Sequence, residues 1–174
     1  MRLLPLVAVL ALAAFAVWIV ATGQHSIGDP PAPAGAVDAP DDAARMEVVS
    51  ITDGDTLRLR EPGGSPQNVR LVGIDTPEVH PVLECFGEEA EAELARLTPV
   101  GTTVRVAPDE DPYDDYDRAL LYLWNADGTF VNLALVEGGF AEAIRVAPND
   151  AWYDELLAAE EAAASGERGM WGDC

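Results

Sequence analysis

The chain contains no lysine. All ten of its cationic side chains are arginine, against 31 Asp and Glu, and the formal net charge is −21. Proteins that grip nucleic acid or anionic lipid through a basic surface neutralise phosphates with a cationic footprint, so this composition argues against such a grip. Histidine is almost as scarce. His25 lies in a Pro-rich stretch and His80 between Val79 and Pro81; each stands alone, and neither reads as a ligand. Cysteine is limited to Cys85 and Cys174, and no internal repeat is visible. What remains is substantial. A hydrophobic content of 49% excludes a wholly disordered chain, and 174 residues suffice for one domain with a core. Residues 1–45 hold four aspartates against two arginines, so −19 of the net charge belongs to residues 46–174. The acidity is that of the folded part.

After Arg2, the run Leu3 to Val20 carries no charge over 18 residues. A signal-peptide core has about 7–15 apolar residues and a spanning helix about 20, so this segment falls between the two. Residues 1–22 are therefore expected to be a signal peptide or an N-terminal membrane anchor through residues 3–20. Either way the remainder is exported to the extracellular side. Residues 23–45, rich in Pro, Ala and Asp, read as a solvated linker. Residues 46–174 form the domain, which is expected to be monomeric. An even cysteine count in an exported chain points to a Cys85–Cys174 disulfide, with two free thiols as the alternative.

Within the domain, Met46–Thr52, Leu57–Arg60, Asn68–Ile74, Thr102–Ala107, Ala119–Trp124 and Phe140–Val146 read as strands, from β-branched content and period-two alternation. Gly87–Leu97, Val131–Glu137 and Ala151–Ser165 read as helices, and Pro108–Arg118 as an acidic loop. Short strands with about three helices inserted between them predict an α+β domain built on a curled barrel.

Three clusters carry chemistry. In Asp53-Gly54-Asp55-Thr56, Asp-Gly reads as a hairpin turn that starts the next strand at Asp55. In Arg70 to Glu78 (RLVGIDTPE), alternation places Arg70, Val72 and Ile74 on one strand face, and an arginine against an apolar wall needs an anionic partner. Pro77 offers no N–H and holds Thr76 extended, which leaves the Thr76 carbonyl able to face a cation. Asp75, that carbonyl and Glu78 are hard oxygen donors of the kind calcium takes, although a surface turn with solvated acids fits the segment equally well. In Asp114-Asp115-Tyr116-Asp117-Arg118, the arginine taken by itself reads as a surface ion-pair partner of little energetic weight.

Taken together, these clusters resemble the staphylococcal-nuclease-like (thermonuclease) family. The matching pattern is DGDT, then RLVGIDTPE, then D-x-Y-x-R before ALLY, in order and at matching spacing. Glu84-Cys85-Phe86-Gly87-Glu88-Glu89-Ala90, VNLALV at 131–136 and GMWG at 169–172 extend it over residues 46–174. The resemblance implies a five-stranded oligonucleotide-binding (OB) β-barrel with helices. It also implies Ca²⁺-dependent hydrolysis of phosphodiester bonds in DNA or RNA. In that reading Asp55, Asp75 and the Thr76 carbonyl hold the metal, and Glu78 positions or deprotonates the attacking water. Arg70 and Arg118 bind the scissile phosphate, and Tyr116 hydrogen-bonds a terminal phosphate. The chain departs from the family in three ways. Asp117 replaces a small residue beside Arg118, where its carboxylate is predicted to compete with phosphate. Residues 144–147 (Ile-Arg-Val-Ala) stand near the place where members carry tyrosines facing the nucleotide. The usual cleft lysines are missing. The alternatives are a non-catalytic OB-fold nucleic-acid-binding module, and a Ca²⁺-binding cell-surface domain. The acidic loop lacks the Asp-x-Asp-x-Asp-Gly spacing that would favour the latter.

Overall fold

The computed structural model describes residues 37–174. The expected signal or anchor helix and most of the linker lie outside the described residues. Within them, seven strands and four helices follow in order. These are β1 (Ala44–Ile51), β2 (Thr56–Arg60), β3 (Pro66–Leu71), β4 (Ile74–Asp75), α1 (Gly87–Leu97), β5 (Thr103–Tyr113), β6 (Ala119–Trp124), α2 (Val131–Glu137), β7 (Glu142–Ala143), α3 (Tyr153–Ser165) and α4 (Met170–Asp173).

Five strands close a barrel in the order β1-β2-β3-β6-β5. The β3–β6 pair is parallel and the others antiparallel, which is how an OB-type barrel closes without exposed edges. Alternation fills the interior: Met46 and Val48 of β1, Leu57 and Leu59 of β2, Val69 and Leu71 of β3, and Val104 and Val106 of β5 are buried. All of β6 is buried, because its outer face is covered as well. There Trp124 stacks on Phe130 at 4.7 Å, and Trp152 and Tyr122 meet in a T-shaped arrangement at 6.4 Å. This aromatic layer joins barrel to helices, and rings so arranged contribute about 0.5–1.5 kcal/mol per pair beyond their burial.

Three sequence expectations are corrected. The strand through Asn68–Ile74 breaks: β3 ends at Leu71, and Gly73, at φ +81°, turns the chain into β4. That conformation costs L side chains but not glycine. The supposed acidic loop 108–118 is largely strand, since β5 runs to Tyr113. Its distal part is paired by a side chain: buried Asn149 accepts the Asp111 N–H at 2.8 Å and donates to the Asp111 carbonyl at 2.8 Å. The strand expected over Phe140–Val146 shrinks to β7, which pairs only with β4.

Cys85 and Cys174 form a disulfide with Cα atoms 6.0 Å apart. It closes a chain separation of 89 residues, worth about 4–5 kcal/mol on a chain-entropy basis.

Candidate active site

The site begins in the β1–β2 connection. The Asp53 carboxylate accepts the backbone N–H groups of Asp55 (3.1 Å) and Thr56 (2.6 Å) and locks the reversal. Gly54 does not adopt the left-handed conformation that a hairpin Asp-Gly dipeptide suggests. It is needed for space: a Cβ there would lie 2.8 Å from both the Ala90 Cβ of α1 and the Thr76 Oγ1. The loop is thereby pressed between α1 and the end of β4.

Asp55 is 5% exposed. Its Oδ2 accepts the Thr76 N–H and hydroxyl, both at 3.0 Å, and its Oδ1 accepts the Thr56 hydroxyl at 3.1 Å. Burial, reinforced by neighbouring Asp53, raises its pKa to about 6 against the lowering effects of Arg70 and Thr76. This carboxylate is short of positive charge.

Arg70 supplies some. It lies opposite Thr56 in the β2–β3 register, on the strand face away from Val69 and Leu71. The expected common face with Val72 and Ile74 is absent, because the chain turns at Gly73 and those two side chains enter the core. The Arg70 side chain, 14% exposed, spans two carboxylates. Nη2 pairs with Asp75 Oδ1 at 2.5 Å, and Nη1 ion-pairs with Asp55 Oδ2 without hydrogen-bond alignment.

Arg118 follows a tight acidic turn that leads into β6. Asp114 Oδ1 accepts the N–H groups of Tyr116 and Arg118, both at 2.9 Å, and its Oδ2 accepts Arg118 Nε at 2.7 Å. Burial on its own would raise the Asp114 pKa, but these donors outweigh it and hold the carboxyl below the ordinary range. The ion-pair partner of Arg118 is thus Asp114, not Asp117, which sits exposed at φ +59°. The pair uses Nε, and the terminal nitrogens are left for another anion. Tyr116 is 81% exposed, with the Arg118 guanidinium 5.7 Å from its ring centre.

Arg70 and Arg118 line one cavity of about 170 Å³, together with Gly73, Asp114, Ile144 and Val146. Ile144 is fixed there by its N–H to the Gly73 carbonyl at 2.9 Å. Asp55 and Asp75 do not line this cavity; they ion-pair with Arg70, which does. Glu78 does not line it; Glu78 sits exposed at the start of an irregular loop and pairs with Glu84 through its main chain. Sequence reasoning missed Asp53, Asp114 and Glu84. Only Asp114 carried a signal, its spacing four residues before Arg118.

Among the described residues no group of three or more His, Cys, Asp or Glu side chains is assembled for a metal. The fit to a hard cation rests on the donors that are present. Two carboxylates converge on a single positive group, one of them buried with a raised pKa, and all the atoms concerned are oxygens. A divalent cation bound there would be held by Asp55 and Asp75, with the Thr76 carbonyl as the backbone donor. Oxygen donors of this kind suit Ca²⁺.

The family model described as Staphylococcal nuclease homologue matches residues 68–173. The chain belongs to the staphylococcal nuclease family. The match begins at Asn68, so the segment with Asp55 lies before it. The nuclease-family chain is 31% identical over 127 residues to the thermonuclease of Staphylococcus intermedius, covering 71% of this chain and 74% of that protein. It is 29% identical over 128 residues to the thermonuclease of Staphylococcus hyicus, covering 72% and 74% respectively. An uncharacterized endonuclease of Haemophilus influenzae is 35% identical over 126 residues, 72% of this chain and 65% of that protein. The barrel and its three longer helices agree with the fold that the sequence resemblance implied.

Proposed function

We propose that the protein is a nuclease that hydrolyses phosphodiester bonds of DNA or RNA with Ca²⁺, and that it acts outside the cell. The observation that carries the reading is the single cavity with Arg70 and Arg118 on its wall, in a chain whose relatives are named thermonucleases and endonuclease. The export half of the reading is supported by the apolar run at 3–20 and by the disulfide.

A phosphodiester repels hydroxide, and negative charge grows on its oxygens as water attacks. Arg70 and Arg118 carry planar guanidinium groups, which suit phosphate oxygens and stay protonated. Arg118 is held through its Nε by Asp114 and so is pre-oriented, which is where electrostatic stabilisation is strongest, whereas Arg70 turns to phosphate only as a cation takes over Asp55 and Asp75. Asp55, Asp75 and the Thr76 carbonyl would hold Ca²⁺, which would supply further positive charge for the developing transition state. Glu78 orients the attacking water and accepts its proton. Ile144 and Val146 give the cavity apolar walls without aromatic stacking, so recognition rests on phosphate and sugar with relaxed base preference.

Glu78→Gln keeps the size and removes the base. It is expected to lower kcat by about 10²–10³, within the range of general-base contributions, with KM for DNA little changed. Steady-state cleavage of a fluorescent oligonucleotide measures it, and a kcat within twofold of the parent would reject the role of Glu78.

A further inference from the structure

The loop that carries Glu78 has no regular structure between Thr76 and Phe86. Core packing does not hold its middle, where Val82 and Leu83 are 72% and 55% exposed. Its described restraints lie at its two ends. The Glu78 N–H donates to Glu84 Oε2 at 2.9 Å, and the Glu84 N–H donates to the Glu78 carbonyl at 2.8 Å. Helix α1 then starts against the same residue: a Cβ on Gly87 would lie 2.7 Å from the Glu78 carbonyl oxygen.

The residue after Glu84 is Cys85, covalently joined to Cys174. Cys174 directly follows α4, and α4 is bolted to the body of the domain. The Met170 N–H donates to the Gly139 carbonyl at 2.9 Å, Met170 is buried, and the Gly139 and Gly169 backbones pass too closely for a side chain on either. A cavity of about 200 Å³ between loop and α4 is lined by Asp75, Thr76, Pro77, Glu84, Glu142 and Met170. Glu84 therefore stands beside the same β4 end that carries the carboxylate Asp75.

We propose that Glu84 and the Cys85–Cys174 disulfide form a positioning device for Glu78. The side chain of Glu84 fixes the Glu78 main chain, and the disulfide fixes Glu84 to the rigid C-terminal turn. Neither touches substrate; both act through Glu78, and the inference rests on Glu78 as the base. Displacement of a catalytic group by about 1 Å costs up to about 10²-fold in rate, so loss of either restraint should be read in kcat.

The test uses the full oxidised protein. Glu84→Ala is expected to lower kcat about 10-fold with KM for DNA within twofold, while Glu84→Gln, whose amide oxygen still accepts the Glu78 N–H, restores kcat. Reduction of the exposed disulfide with a phosphine is expected to give the same kcat loss at unchanged KM. In the Glu78→Gln background neither Glu84→Ala nor reduction should lower kcat further, since the group being positioned is gone. The Glu84→Ala arm keeps the disulfide, so it reads the device even where the reduced protein melts below the assay temperature. If Glu78→Gln loses activity but Glu84→Ala keeps kcat within twofold, the positioning device is refuted and Glu78 stands. If Glu78→Gln itself keeps full activity, both fall. A loss in Glu84→Ala that Glu84→Gln does not rescue, or that persists in full in the Glu78→Gln background, refutes action through Glu78.

Discussion

Replacing Arg118 with alanine is expected to lower kcat by about 10³, the lower end of what an arginine facing a phosphoryl transition state contributes. Arg118 lines the cavity while Asp114 holds its Nε and leaves its terminal nitrogens outside the ion pair. Its removal takes away charge stabilisation that grows with the reaction, so the loss belongs in kcat and not mainly in KM. The fold should be nearly indifferent. The Asp114–Arg118 pair is partly exposed and only four residues apart, and such pairs contribute little to stability. Arg118→Lys should recover little, because an ammonium is a point charge without the planar fork. Single-turnover cleavage with saturating DNA, alongside thermal melts, separates the two effects. A variant that melts like the parent and cleaves at more than a tenth of its rate would remove Arg118 from the phosphate site.

The second large effect lies at Asp55. Asp55→Asn keeps the shape: an amide oxygen can accept from Thr76, and the amide nitrogen can donate to the Thr56 hydroxyl. It deletes the charge that a cation would meet. Even residues behind a ligand change metal affinity by about 10–100-fold, so this substitution at a proposed carboxylate ligand should weaken Ca²⁺ binding at least about 100-fold in calorimetry. The pKa of about 6 gives this prediction a pH signature without metal. An acid whose pKa is raised on folding binds its proton more tightly in the folded state. Stability from that group is full below its unfolded pKa near 4 and is lost as pH rises through about 6. Metal-free parent protein should therefore lose stability between pH 4 and 6. Asp55→Asn should lack that part of the slope and be no less stable than the parent at pH 7. A variant that is clearly destabilised at pH 7, yet binds Ca²⁺ normally, would make Asp55 a structural residue.

Much of this architecture was legible in the residues. Gly87–Leu97 shows its helix through Ala90, Leu94 and Leu97 on one face, Ala119–Trp124 is an apolar run between turn signals, and Gly138-Gly139 stops α2. In each case hydrophobic pattern and terminators agree locally. The misreadings came where a distant partner overrides the local pattern. Acidic, Pro-containing residues up to Tyr113 look like loop, but Asn149, 38 residues from Asp111, supplies their missing hydrogen bonds. Gly54 looks like a turn glycine, but α1 and Thr76 impose the need for it. Alternation beyond Leu71 assumed an unbroken strand, and Gly73 ends it. In the site, Asp55, Asp75, Arg70 and Arg118 were visible as residue types at family spacing. Their supports were less so: Asp53, Asp114 and Glu84 act largely through hydrogen bonds from backbone N–H groups, and only Asp114 showed itself, as an acid four residues before Arg118. Asp117, adjacent to Arg118, was the wrong neighbour: the turn brings round Asp114 instead.

The net charge that first argued against a polyanionic substrate now sets the conditions of activity. A domain at −19 repels DNA at low ionic strength, and added salt shortens the range of that repulsion to about 8 Å at 0.15 M. Phosphate-gripping proteins with basic surfaces lose affinity steeply with salt. The decisive measurement is the initial rate of DNA and RNA cleavage by the purified protein, with Ca²⁺ or with chelator, over a NaCl series. The expected result is cleavage that requires Ca²⁺ and stays level or rises as salt increases. Absence of Ca²⁺-dependent cleavage at every salt concentration would contradict the nuclease reading, and a steep fall with NaCl would contradict the role given to the acidic surface.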